Sequence, residues 1–188
     1  MTDTRAPLSP ELAEWGSAAL AACRAVLQRV TASDLGRATP CTEYSVAQVG
    51  DHLERSMVLL AGSAGAHLEP LGGATLDDRI APLAEQSLSA WQQHGVDGSV
   101  PLGSRTLPAA NVYDIVLLEL VIHGWDVSRA LGAPTAFDPP ADLVEHLIQQ
   151  TPILIRPEAR GRAFAEPAPV AADASALDRL VAFTGRAV

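Results

Sequence analysis

The stretch from Leu118 to Leu131, LELVIHGWDVSRAL, lies in one of the most apolar parts of the chain, yet it carries Glu119, His123 and Asp126. Spacings of four and three residues put these three side chains on one face of a helix. On a wheel turning about 100° per residue they fall in the middle of the stripe formed by Val112, Ile115, Val116, Ile122 and Ala130, not opposite it. Burying an unpaired neutral polar group costs about 2–7 kcal/mol, and a charge costs more. A chain with this segment must therefore satisfy three polar groups inside its own core, either through one another or through a metal ion.

Helical signals run through the rest of the chain. Ser9 can cap a first helix that has Pro10 at its first position and the apolar residues Leu12, Trp15, Ala19, Ala22, Val26 and Val30 at helical spacing. Ser45 and Gln48 form a capping box for a second helix carrying Val46, Val49, Leu53, Met57 and Leu60, with His52 at the border of its stripe. Residues 61–75 read as a loop. A third helix is expected from Leu76 to His94, stopped by Gly95, with Pro82 marking a kink or a later start. VDGSVPLGSRTLPAA reads as another loop, and the fourth helix runs from about Pro108 to Leu131.

A fifth helix is expected from Asp138 and Pro139, interrupted near Pro152; Arg156 to Ala172 reads as irregular wrap, and Ser175 caps a final helix, ALDRLVAF, ending at Gly185. No stretch alternates with period two for long enough to argue a sheet. The expected fold is all-α: a four-helix bundle with an extra helix and an irregular C-terminal wrap, forming one domain over residues 1–188.

Composition narrows the function. A net charge of −9 argues against nucleic acid or an anionic membrane as partner. The longest apolar runs stop far short of the roughly 20 residues of a spanning helix. No secretory signal is visible and only Cys23 and Cys41 are present, so a cytoplasmic protein with reduced thiols is expected. Cys41, just ahead of the second helix, has two readings: a thiol activated by the helix dipole, or a buried inert one, which is favoured.

A Glu and a His four residues apart can reach one cation from adjacent turns. Among the other histidines His52 is best placed to add a third donor; His67 and His94 fall at helix ends or in loops, and His146 on the polar side of the fifth helix. The set His52, Glu119 and His123 suits catalytic zinc, and also nickel or non-haem iron. Without metal, Glu119 and His123 would be a hydrogen-bonded core pair. Asp126 is the candidate catalytic residue, as a base, a further ligand, or a group orienting a ligand imidazole; a hydrogen bond to a nearby loop is the alternative. Trp125 faces another side and should be core.

The segments ATPCTEYSVAQVGDHL, LLELVIHGWDVSRALG and APVAADASALDRLVAFTGR resemble the actinobacterial metal-binding proteins of the DinB-like superfamily, the group that contains the N-terminal domain of mycothiol-dependent maleylpyruvate isomerase. The likeness covers essentially the whole chain. It implies a DinB-like bundle in which His52, Glu119 and His123 hold a divalent metal. Relatives usually have Trp where Tyr44 stands, and the isomerase has a further C-terminal domain that this sequence lacks. The resemblance thus implies the fold and the metal site, not the maleylpyruvate reaction itself.

The implied activity is that of a mycothiol-dependent transferase or isomerase, in which the metal activates the thiolate of mycothiol toward an electrophilic substrate. Two other readings stand beside it: a non-catalytic metal-binding or ligand-binding module, and a metal-assisted hydrolase with Asp126 as base. Expected partners are small molecules, with the protein a monomer or homodimer. Arg156, Arg160 and Arg162 could meet a thiol substrate, but solvation is the favoured role.

Overall fold

The computed structural model describes residues 6–42, 44–161 and 164–188. Its helices are α1 (Pro10–Leu27), α2 (Val46–Ser63), α3 (Leu76–His94), α4 (Ala109–Ala130), α5 (Ala141–Leu154) and α6 (Ala176–Phe183). A hairpin of β1 (Ser99–Leu102) and β2 (Arg105–Pro108) precedes α4, and short 3-10 turns occupy Pro134–Ala136 and Pro157–Ala159. The architecture is all-α, and the first four helices form a bundle in which α1 and α2 each pack on both α3 and α4. Helix α5 lies on α4, and α6 lies on α5.

The helix starts follow from local chemistry. The Ser9 hydroxyl accepts from the Leu12 amide at 3.3 Å, and Ser45 and Gln48 complete a reciprocal box at α2. Thr75 and Asp78 make a second such box, which fixes the start of α3 at Leu76. Satisfied first-turn amides hold that start although Pro82 lies inside the helix, so the later start considered from sequence does not occur. Helix α5 begins at Ala141, with Pro140 rather than Asp138 at its cap, and runs through Pro152 for two more residues.

The loop expected between α3 and α4 contains the hairpin. Val100 pairs with Leu107 and Leu102 with Arg105, and Gly103, at φ 59°, makes the tight turn. Each strand has four residues, and among them only Val100 is fully buried. Main-chain pairing and the turn glycine make this element, with no apolar alternation to betray it.

Helix α4 is the centre of the molecule. From Val112 to Ser128 only Ile115 and Glu119 escape full burial, and with Asn111 these make a partly open stripe along one side. Glu119 therefore sits where the most enclosed helix comes nearest to solvent. Trp125 is core, as expected, with the Arg129 guanidinium 5.5 Å from its ring centre. Among the described residues no helix is long and apolar enough to cross a membrane.

Next to His123, Gly124 lets Phe137 lie against α4: a Cβ placed there would be 2.5 Å from the Phe137 ring. Overpacking of this kind costs about 1–3 kcal/mol, against about 1 kcal/mol gained from the better helix former. Gly124→Ala should therefore lower stability by about 1 kcal/mol, read as a lower midpoint in thermal or urea unfolding.

Candidate metal centre

Two helices build the site. The capping box orients the first turns of α2, and His52 follows on its α4-facing side; α4 supplies Glu119 and His123 from successive turns. One ligand atom from each of the three lies within 4.8 Å of the other two. The His52 and His123 rings meet edge to face with centroids 4.8 Å apart. The side chains of His52, Glu119 and His123 are 28%, 15% and 4% exposed, so the cluster is closed on the His123 side and open on the His52 side.

Hydrogen bonding gives the cluster a direction. His52 Nε2 donates to Glu119 Oε2 at 2.9 Å, and the Ser56 hydroxyl lies 3.4 Å from the same nitrogen. His123 Nδ1 donates to Asp126 Oδ2 at 2.9 Å. With that proton on Nδ1, a neutral His123 points its Nε2 lone pair at Glu119 Oε2 from 3.6 Å. Two acceptors facing each other across such a gap are the arrangement a cation satisfies. The donor set, two imidazole nitrogens and one carboxylate oxygen, is that of a catalytic zinc site with a position left over.

Burial pushes the Glu119 carboxyl up, but the His52 hydrogen bond, the two imidazoles and Ser56 outweigh it and leave the group below the usual carboxylate range. Asp126 behaves alike: burial raises it, while His123 and Arg186 together lower it further. Both Asp126 oxygens are occupied, Oδ1 accepting from Arg186 Nε at 2.8 Å and Oδ2 from Arg186 Nη2 at 2.7 Å as well as from His123. The carboxylate is completely buried. It lies behind His123, on the far side of the ring from Glu119, and has no oxygen turned toward an incoming water.

Sequence reasoning missed two neighbours. Tyr44 stacks on His52, with centroids 5.5 Å apart and planes 28° from parallel. Arg186 lies 60 residues from Asp126, and no periodicity links them; only the resemblance of the FTGR ending marks it.

The other candidates lie elsewhere. His67 is exposed, and His94 packs edge-on against Trp91. His146, expected on a polar face, is half-buried, 2.7 Å from Asp114 and packed on Trp15, because that side of α5 meets α1 and α4. Arg160 donates to the carbonyls of Ala165 and Phe183 and so ties the wrap to α6, while Arg156 is exposed and Arg162 lies outside the described residues. Burial pushes the Cys23 thiol up to about 12, with Asp77 adding to the shift, whereas Cys41 is half-buried rather than buried. Two cavities, of about 460 and 510 Å³, line α1 with α3 and the end of α2 with α3, away from the cluster.

Residues 17–128 match the family model of the mycothiol maleylpyruvate isomerase N-terminal domain, a span holding His52, Glu119, His123 and Asp126. The chain belongs to this family. The isomerase N-terminal domain family is a DinB-like, metal-binding and mycothiol-related group, and the bundle seen here is of that type. Two uncharacterized proteins of Mycobacterium tuberculosis, from strains CDC 1551 / Oshkosh and ATCC 25618 / H37Rv, are each 27% identical over 170 residues, covering 87% of this chain and 91% of the relative. No solved structure matches the chain significantly.

Removing one partner of a buried ion pair costs about 3–5 kcal/mol, so Asp126→Ala should destabilise the protein by that order in chemical denaturation. Because the folded-state value of Asp126 is depressed, its contribution is present above the ordinary Asp value of about 3.9 and is lost as pH falls below it. Thermal scans from about pH 5 to about pH 3 should show a steeper fall for the wild type than for Asp126→Asn.

Proposed function

We propose that this chain is a divalent-metal enzyme that uses mycothiol, a transferase or isomerase in which His52, Glu119 and His123 hold the ion. The observation that carries the reading is the convergence of two imidazole nitrogens and one carboxylate oxygen within 4.8 Å, in a family that is itself metal-binding and mycothiol-related. Zinc is the ion best suited to this donor set, with nickel and iron next. When bound, the ion supplies the Lewis acidity that favours thiolate over thiol near neutral pH, and so a nucleophile for an electrophilic substrate.

The chain's own residues do the rest. His123 is fixed by its Nδ1 bond to Asp126 and cannot swing away from the cluster. Glu119 is the single negative charge among the three when both imidazoles are neutral, so the positive charge of a dication is not cancelled and an anionic sulfur is welcome beside it. His52, the most exposed of the three, marks the side from which thiol and electrophile approach, and the Tyr44 ring stacked on it walls that approach. The engagement of both Asp126 oxygens argues for a role in orienting His123, and against the hydrolase reading in which Asp126 takes a proton from water. A cytoplasmic setting with small-molecule partners fits this chemistry.

The test begins with the full chain purified without added metal or chelator, its metals measured by mass spectrometry beside His52→Ala and His123→Ala. About one zinc, nickel or iron per chain is expected in wild type, and at least a tenfold loss in each variant. Metal-loaded wild type should then consume mycothiol in the presence of at least one member of a panel of electrophiles. Metal without thiol binding would make the protein a metal-binding module. Absence of metal even after reconstitution would make the cluster a hydrogen-bonded core network.

A further inference from the structure

We propose that Arg186 is a positioning residue of the candidate metal centre: acting through Asp126, it holds His123 in the tautomer and ring orientation that turn Nε2 toward the cluster. The proposal deepens the metal reading above and rests on it for its consequence, although the orientation itself belongs to the metal-free protein.

The geometry is that of a relay with one direction. Arg186 grips Asp126 with two parallel bonds, Nε to Oδ1 at 2.8 Å and Nη2 to Oδ2 at 2.7 Å, which fixes the plane of the carboxylate. The fixed Oδ2 is the oxygen that accepts from His123 Nδ1. A carboxylate gripped from one side only would be free to turn about its own bond. The imidazole would then lose the acceptor that keeps its proton on Nδ1 and its other nitrogen bare.

The grip is itself anchored. Arg186 Nη1 donates to the Thr184 hydroxyl at 3.0 Å, and that hydroxyl donates to the Val181 carbonyl at 2.6 Å. Helix α6 closes with the Gly185 amide bonded to the Ala182 carbonyl and the Arg186 amide to the Val181 carbonyl, a glycine-dependent reversal. Gly185 takes φ 95°, and a Cβ there would come within 2.6 Å of Ala165. That reversal aims Arg186 back into the bundle, where its side chain is 6% exposed and Asp126 fully enclosed. Buried ion pairs add little stability over apolar pairs of similar size, so stability alone gives no reason for charges at this depth. Their bond to a cluster imidazole does.

Arg186→Lys keeps the charge but cannot make the parallel pair of bonds, and Arg186→Met removes both. Leu147→Ala, which opens the core at α5 and removes no hydrogen-bonding member of the relay, serves as a control for lost stability. Two-bond proton–nitrogen correlation spectra of the metal-free, nitrogen-15-labelled full chain read the tautomer of His123, and competition with a chromogenic chelator reads zinc affinity.

Read at alkaline pH, where the imidazole is neutral, wild type and Leu147→Ala should carry the His123 proton on Nδ1, and both Arg186 variants should show a mixture or the Nε2-protonated form. Zinc should bind about 10–100-fold more weakly to the Arg186 variants. The proposal is overturned if His123 stays wholly Nδ1-protonated in both variants, or if Leu147→Ala moves the tautomer and the affinity as far as Arg186→Met does. A wild type that binds no zinc would sink the metal reading, while the tautomer comparison would still decide the role of Arg186.

Discussion

A helix that is apolar on nearly every side is stable only when covered on nearly every side, and α4 imposes that condition on the rest of the molecule. Helices α1 and α2 cover two of its flanks, the hairpin borders its start, and α5 lies along a further side. Phe137 fits against the helix where Gly124 leaves room. The one stripe left partly open, Asn111, Ile115 and Glu119, is where chemistry can meet solvent. Core and site thus share one constraint: the enclosure that keeps α4 folded also surrounds the polar groups it carries.

Electrostatics divides those polar groups between two duties. Glu119 faces His52 and His123 at the half-open end, held ionised by them against the cost of burial. Asp126 faces inward, held ionised by His123 and Arg186 against the cost of complete burial. His123 stands between the two carboxylates, with Nδ1 bound to one and Nε2 turned to the other. One imidazole therefore couples the enclosed part of the bundle to the part a ligand can reach.

Much of this was legible in the sequence, because it depends on local rules. Caps at Ser9, Ser45 and Ser175 mark helix starts within a few residues, and the Glu119, His123, Asp126 spacing announces one polar face in an apolar helix. The hairpin was not legible, since its strands carry no alternation and its pairing is main-chain. The half-buried state of His146 depends on Asp114 and Trp15, remote in sequence, and Arg186 depends on a reversal at Gly185 that aims it at a residue 60 positions away. What stayed hidden was set by tertiary proximity, which periodicity does not encode.

The matched family span ends at residue 128, and Arg186 lies beyond it. A fragment cut at that boundary would keep every member of the cluster and Asp126, yet would leave that enclosed carboxylate without its cation. It would also strip α5 and α6 from the flank of the bundle. The unit that the family match spans is therefore smaller than the unit that completes the Asp126 pairing, and a truncation designed from that match would lose the footing of His123 before any ligand was touched.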